Sequence, residues 1–202
     1  MTQPGELESK GERTRSEIVE AAYFLFLERG YHGTSMREIA QRAGIALGGI
    51  YNHFASKGEI FEAVLLKHHP YLEIIPAVLE AEGETIEEFL RDSASRIIHG
   101  LDQRPDFLNL MFIELVEFNG RHIPQLFALI YPQIIATSQR LQRWQDQLRP
   151  ISFPVLMRAF YGLFFSYFIT DLLIGKQIPA ALNTHALDDF VEIFLHGILA
   201  KG

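Results

Sequence analysis

At 202 residues the chain has room for one large domain or two small ones sharing a core. Hydrophobic residues at 48% and charged residues at 21% exclude a chain that stays disordered, and the absence of cysteine removes disulfides, thiolate metal sites and cysteine nucleophiles. A net charge of -7 excludes a protein that coats nucleic acid by charge alone, yet between residues 13 and 57 six basic side chains stand against four acidic ones.

The first dozen residues, MTQPGELESKGE, are polar and lack the apolar run of a secretory signal. They are expected to form a disordered tail over 1–12, and the protein is expected in the cytoplasm. From Arg13 to Glu28 the residues Ile18, Ala21, Ala22, Leu25 and Phe26 recur three and four apart, the spacing of one helix face, and Gly30 ends that helix. Ser35 with Glu38 is a capping-box pattern opening a short helix from Met36 to Ala43, which Gly44 stops. A second short helix fits Leu47 to Phe54, and Ser56 with Glu59 opens a third near Lys57. Short helix, glycine turn, short helix is the layout of a helix-turn-helix, whose second member lies in the major groove of DNA.

Beyond it, helices are expected at 57–68, 71–82, 84–100, 106–119, 124–148, 154–174 and 184–200, punctuated by Pro70, Pro105, Pro124, Pro154 and Pro179. No stretch alternates with period two, so no strand is expected. The most apolar run, Ala159 to Thr170, is bounded by Arg158 and Asp171 and has about a dozen residues where a membrane span needs about 20. It is read as a buried helix, with no membrane role. His68 and His69 face apart on a helix and have no partner at i+4, so no metal site is expected. No nucleophile, base and orienter fall at a recognisable spacing, and no cofactor motif appears.

The pairs Ala21-Ala22 and Leu25-Phe26, Gly30-Tyr31, Thr34-Ser35, Ile39-Ala40, Ala43-Gly44, Ile50-Tyr51, His53-Phe54 and Ser56-Lys57 stand in a fixed order over residues 13 to 66. In this the chain resembles the DNA-binding domain of the TetR family of bacterial regulators. The resemblance covers about a quarter of the chain. It implies an all-α fold, with a three-helix helix-turn-helix domain over 13–56 and a larger helical effector-binding and dimerisation domain over 57–202. Its implied partners are double-stranded operator DNA, a small apolar or amphipathic effector and a second copy of the chain. The implied activity is that of a repressor released from a palindromic operator by its effector. The alternative is a helical ligand-binding or enzyme subunit with no DNA role.

Ile39, Ala40, Ala43, Ile45, Ile50 and Phe54 can form the small core that fixes the two short helices. By resemblance, Tyr51 and Lys57 contact phosphates, with His53 beside them, and Arg37 reads a base; an ion pair on a solvated face is the other reading of Arg37. Thr34 and Ser35 can offer a hydroxyl or a helix N-terminus to a phosphate. The chain departs from the family where it reads Ala46, Leu47, Gly48, Gly49: Ala46 cannot cap, and each glycine weakens the helix by up to about 1 kcal/mol. Base reading there would rest on Ala46 or Leu47 against thymine methyls, close backbone approach at the glycines, and Asn52.

In the remaining two-thirds the aromatic residues exceed what packing must use. Pocket walls are assigned to Phe89, Met111, Phe112, Leu115 and Phe118, with Phe127, Tyr131 and Phe164, and Glu114 is the candidate orienting group. The last two helices carry apolar stripes at Phe160, Leu163 and Tyr167 and at Leu187, Phe190, Val191, Phe194 and Ile198, which two copies could bury as a four-helix interface.

Overall fold

Ser9 opens the first helix. Its hydroxyl accepts the Glu12 backbone N–H while the Glu12 carboxylate accepts the Ser9 N–H, so α1 (Lys10–Arg29) begins three residues before the Arg13 expected from apolar spacing. The computed structural model describes residues 9–104, 106–179 and 185–199. Residues 1–8 of the expected tail, Pro105, and the expected helix ends at Thr184 and Ala200 lie outside the described residues. There follow α2 (Met36–Arg42), α3 (Leu47–Ile50), α4 (Lys57–His68), α5 (Tyr71–Leu79), α6 (Ile86–Asp102), α7 (Phe107–Glu117), α8 (Ile123–Leu141), α9 (Phe153–Ile174) and α10 (Ala186–Ile198). Tight 3-10 turns occupy Gln142–Gln147 and Gly175–Gln177. The fold is all-α: among the described residues there is no strand, and an isolated bridge pairs Leu148 with Leu199.

Several boundaries move for local reasons. α3 stops at Ile50 rather than Phe54, because Ala46 gives no side-chain cap and the glycines at 48 and 49 leave one turn of helix. α5 ends at Leu79 rather than 82 and tolerates Pro76, which has no N–H to return to Leu72. The single helix expected over 124–148 is α8 to Leu141, with Pro132 inside it, and then the 3-10 turn.

The chain divides into two compact units. The first comprises the described residues up to His69 together with Asp106–Leu126. Here α1 packs against α2, α4 and α7. Ile18, Ala22, Phe26, Ile39, Ile50, Phe61 and Leu65 make the core, with Leu110 of α7 added from far along the chain. Of the small core expected for the two short helices, Ile39, Ala40, Ile50 and Phe54 are buried, and Ala43 and Ile45 pack against it half-buried. Phe118 stacks on Phe61 with ring centroids 4.8 Å apart and 9° between planes, and it meets Tyr31 edge-on at 4.9 Å.

The second unit comprises the described residues of Pro70–Pro105 and Phe127–Gly202. α6 is its centre, touching α5, α9 and α10. Its buried stripe is Ile86, Phe89, Leu90, Ser93, Ala94, Ile97 and Leu101, three and four apart. The Ala159–Thr170 run was expected to be a buried helix, but along α9 only the Leu156, Met157, Phe160, Phe164 and Phe168 stripe is buried. By length and composition α9 could cross a membrane. Val155, Leu172, Leu173 and Ile174 on it are exposed. One side suffices to cover α6 and α10, so the other is left facing outward.

Glu114, the expected orienting group, is fully buried in the first unit and spent there. One carboxylate oxygen accepts the His122 backbone N–H at 2.7 Å, and the other lies 2.8 Å from His122 Nδ1. Glu114→Ala removes both partners from buried donors and leaves a void, so stability should fall by about 3 kcal/mol. Glu114→Gln, which keeps an acceptor for the backbone N–H, should retain about half of that. Urea unfolding of the two variants against the parent checks the order.

Candidate nucleic-acid interface

The turn between α2 and α3 is set by Gly44, whose φ of 70° is open to glycine and strained for other residues. Ile45 N–H returns to the Ala40 carbonyl at 3.0 Å, closing the end of α2 as expected. At the start of α2, Ser35 and Glu38 form the capping box, and Glu38 also holds Arg29 at 2.9 Å. These bonds keep the Glu38 carboxyl below its usual range, first through the Ser35 side chain and then its backbone. Thr34 is buried, and its hydroxyl donates to the Leu25 and Gly30 carbonyls.

On the outward side the exposed residues are Arg37, Ala46, Leu47, Gly48, Tyr51 and Asn52, while Gly49 and His53 are half-buried. A Cβ built at Gly48 or Gly49 would meet nothing within 4 Å. The fold itself therefore asks for glycine at neither position. Of the two readings of Arg37, the ion pair does not occur among the described residues. Arg13 pairs with Glu17, Arg29 with Glu38 and Arg42 with Glu28. Arg15 lies over the Phe54 ring at 4.4 Å.

Lys57 takes up an unexpected post. Its ammonium donates to the Tyr31 and Thr34 carbonyls, each at 2.6 Å, and lies 4.2 Å from the Tyr31 ring centre. Burial pushes it below lysine's ordinary value, while the carboxylates of Glu117 and Glu38 pull it back. Nothing in the sequence around Ser56-Lys57 announces this clamp, because its partners are backbone carbonyls more than twenty residues away.

Residues 18–64 match the family described as bacterial regulatory proteins, tetR family. Over these residues the chain carries the DNA-binding region of the tetR family. The repressor KstR2 of Mycobacterium tuberculosis is 47% identical to it over 51 residues, 25% of this chain and 26% of that protein. The HTH-type transcriptional regulator YvkB of Bacillus subtilis is 24% identical over 198 residues, 93% of this chain and 98% of its own. A tetR-family regulator from Mesorhizobium loti superposes with a TM-score of 0.70 at 26% identity, covering 96% of this chain and 100% of that one. The protein is thus a DNA-binding transcriptional regulator and not an enzyme.

The pocket residues expected of a tetR-family sensor are divided between the two units. Met111, Phe112, Glu114, Leu115 and Phe118 belong to the first unit, and Phe89, Phe127, Tyr131 and Phe164 to the second. Phe112, Leu115, Phe127 and Tyr131 are exposed, whereas Met111 sets its sulfur 3.3 Å from His69 Nε2. In the second unit a surface cleft of about 410 Å³ is lined by Leu141, Gln145, Leu148, Arg149, Phe153 and Leu156. A smaller void in its core is lined by Phe89, Leu90, Ser93, Thr137, Phe160 and Tyr161 among others. Sequence reasoning missed Ser93, although its signal was there as one hydroxyl inside an apolar stripe.

Of the expected dimer residues, Phe160, Val191, Phe194 and Ile198 are buried within the protomer, Phe160 edge-on to Phe194 at 5.3 Å. Leu163, Tyr167, Leu187 and Phe190 are half-buried, Tyr167 edge-on to Phe190 at 5.1 Å. An apolar groove of about 280 Å³ runs between α9 and α10, lined by Val155, Ala159, Leu163, Ile193 and Gly197 with Phe194 at its floor.

The Lys57 clamp is testable without DNA. Lys57→Met removes a charged donor from two carbonyls, and stability should fall by about 2 kcal/mol. A urea midpoint unchanged from the parent would show that the clamp contributes nothing.

Proposed function

We propose that this regulator is a repressor, a homodimer that occupies a palindromic operator and is released when a mostly apolar small molecule enters the second unit. The observation that carries the reading is the bare, uncapped first turn of α3, exposed as Arg37 of α2 is, with Arg37 lacking a carboxylate partner among the described residues. Arg37 and Asn52 read base edges, Leu47 and Ala46 meet thymine methyls, and Tyr51, His53 and Lys57 hold the phosphate backbone. Two of the three Lys57 protons are taken by carbonyls, which leaves the third for a phosphate. Thr34 and Ser35 serve this surface by fixing the turn and the start of α2 rather than by reaching out. KstR2 is named a repressor, but its likeness lies in the reading stretch, so the sign of regulation rests on occupancy: a dimer seated on a promoter excludes other proteins from it. Such a regulator works in the cytoplasm, where its operator is.

Selection from a random duplex pool should return an inverted repeat whose half-sites lie about 34 to 36 Å apart, or a multiple of that. Affinity for it should fall steeply with salt, as phosphate contacts require. If the selected duplexes show no dyad, or a scrambled duplex binds as tightly, the operator reading fails. Effector and operator must also weaken each other's binding by one common factor, usually about 5- to 150-fold.

The glycines of α3 separate function from stability. Gly48→Ala with Gly49→Ala has open space for both methyl groups, so the pair should raise stability by about 1 kcal/mol. Operator affinity should drop at least about tenfold if the backbone approaches the bases there. Anisotropy and thermal unfolding on one sample measure both, and unchanged affinity would remove the glycines from the interface.

The partner copy is assigned to the groove between α9 and α10, where Ile193 is 63% and Val155 57% exposed. Ile193→Glu should give a folded monomer by light scattering with operator affinity lost. A stable dimer would place the interface elsewhere.

A further inference from the structure

Two hydroxyls buried in the second unit, Ser93 Oγ and Tyr161 Oη, have no hydrogen-bond partner among the described residues. Both line the same core void, with Thr137, whose hydroxyl donates to the Gln133 carbonyl and keeps an acceptor free. The rest of its wall is apolar, made by Val78, Phe89, Leu90, Leu141, Met157 and Phe160. A buried hydroxyl left unpaired is costly, so two at one void are a feature to be explained.

The void measures about 10 Å³, room for about one water, whereas an apolar cavity of about 150 Å³ is what takes benzene. An organic ligand therefore enters only if the wall yields. Met157 is the side chain suited to that, being unbranched and flexible. Among the described residues no carboxylate, lysine or arginine lines the void. Its titratable group is the Tyr161 phenol, which burial, and secondarily Tyr71 nearby, pushes up and so keeps neutral. A charged ligand would be stranded there without a counter-ion.

We propose that this void is a closed effector site for a neutral, ring-sized molecule carrying one carbonyl or hydroxyl, which Ser93 and Tyr161 bind between them. This names the ligand class and the polar anchors of the effector reading above, and for its role in release it rests on that reading. The larger surface cleft is the weaker site, because no buried, unpartnered polar atom falls in its lining.

The test uses the full-length protein with cyclohexanone and phenol as probes, and toluene and benzoate as controls, followed by calorimetry. Cyclohexanone and phenol should bind, and benzoate should bind at least about tenfold more weakly. Tyr161→Phe and Ser93→Ala should each weaken cyclohexanone by about 3- to 10-fold and leave toluene within about twofold. Without a probe, Tyr161→Phe should melt no lower than the parent, since it loses only an unpaired hydroxyl. Probe binding indifferent to both substitutions, tighter binding of benzoate, or no binding of either polar probe overturns the proposal. So does a lowered melting point in both variants without probe binding, the signature of a bridging water only. Operator affinity in the same samples tests the other reading separately. A probe held by Ser93 and Tyr161 that leaves operator affinity unchanged would sink the effector role and keep the site, whereas release by a compound indifferent to both substitutions would do the reverse.

Discussion

Everything the first unit turns outward depends on where Lys57 puts its ammonium. A single helical turn such as α3 cannot hold itself together, since nucleating a helix costs more than one turn returns. Its pose is borrowed from its surroundings, with Ile50 and Phe54 sunk in the core and α2 packed beside it. Lys57 collects the Tyr31 and Thr34 carbonyls of the α1–α2 turn from the first position of α4. Two segments that are separate in sequence, the α1–α2 turn and the start of α4, are thereby held at one point. Phe61, one turn further along α4, meets the stacked Phe118 at the end of α7 and adds a third. The outward residues are thus presented by a frame that owes little to α3 itself.

The ion pairs of this unit matter less for stability than for where charge is left over. Exposed pairs such as Arg13 with Glu17 and Arg42 with Glu28 contribute at most about 1 kcal/mol each. Their consequence is that the positive charge at these places is already answered. Arg29 is answered twice, by Glu38 and by Glu28. Arg37 and Arg15 keep theirs, and this unevenness reconciles a protein of net charge -7 with a polyanionic partner.

Much of the reading unit was legible because its signals are local. Capping pairs three residues apart, the Ala43-Gly44 turn and the apolar spacing of α1 each act within one or two turns of chain. The same locality explains what was missed. Leu110, Ile113 and Phe118 complete a core whose other members end at Leu65, and no periodicity within α7 tells which core it joins. Glu114 looked like an orienting group because it sits in an apolar helix, but His122 supplies its partner from the turn that follows. On α9 the period gave an apolar stripe and could not say that Phe160 and Phe164 face the protomer's own core while Val155 faces out. Ser93 shows the opposite case, a single hydroxyl within an apolar stripe that is legible from the spacing of α6 alone.

The second unit brings its void and its outward groove within one side chain of each other. Phe160 lines the void, and its ring meets Phe194 edge-on at 5.3 Å. Phe194 in turn lines the groove between α9 and α10. Packed interiors are dense and do not absorb added volume by compressing, so a molecule larger than the present void must displace part of its wall. Met157 can yield by changing rotamer, whereas the Phe160 ring is packed between Phe164 at 4.8 Å and Phe194 of α10 at 5.3 Å, so displacing it presses on α10. A shift of α9 against α10 changes the shape of the groove, and in a twofold dimer that change is applied twice, once from each copy. An operator with fixed half-site spacing is sensitive to such a change, because both reading helices must stay in register with the major groove at once. On the proposed reading, a neutral ligand in a closed core would loosen the grip on DNA through the face on which the dimer is built, with no charge moving.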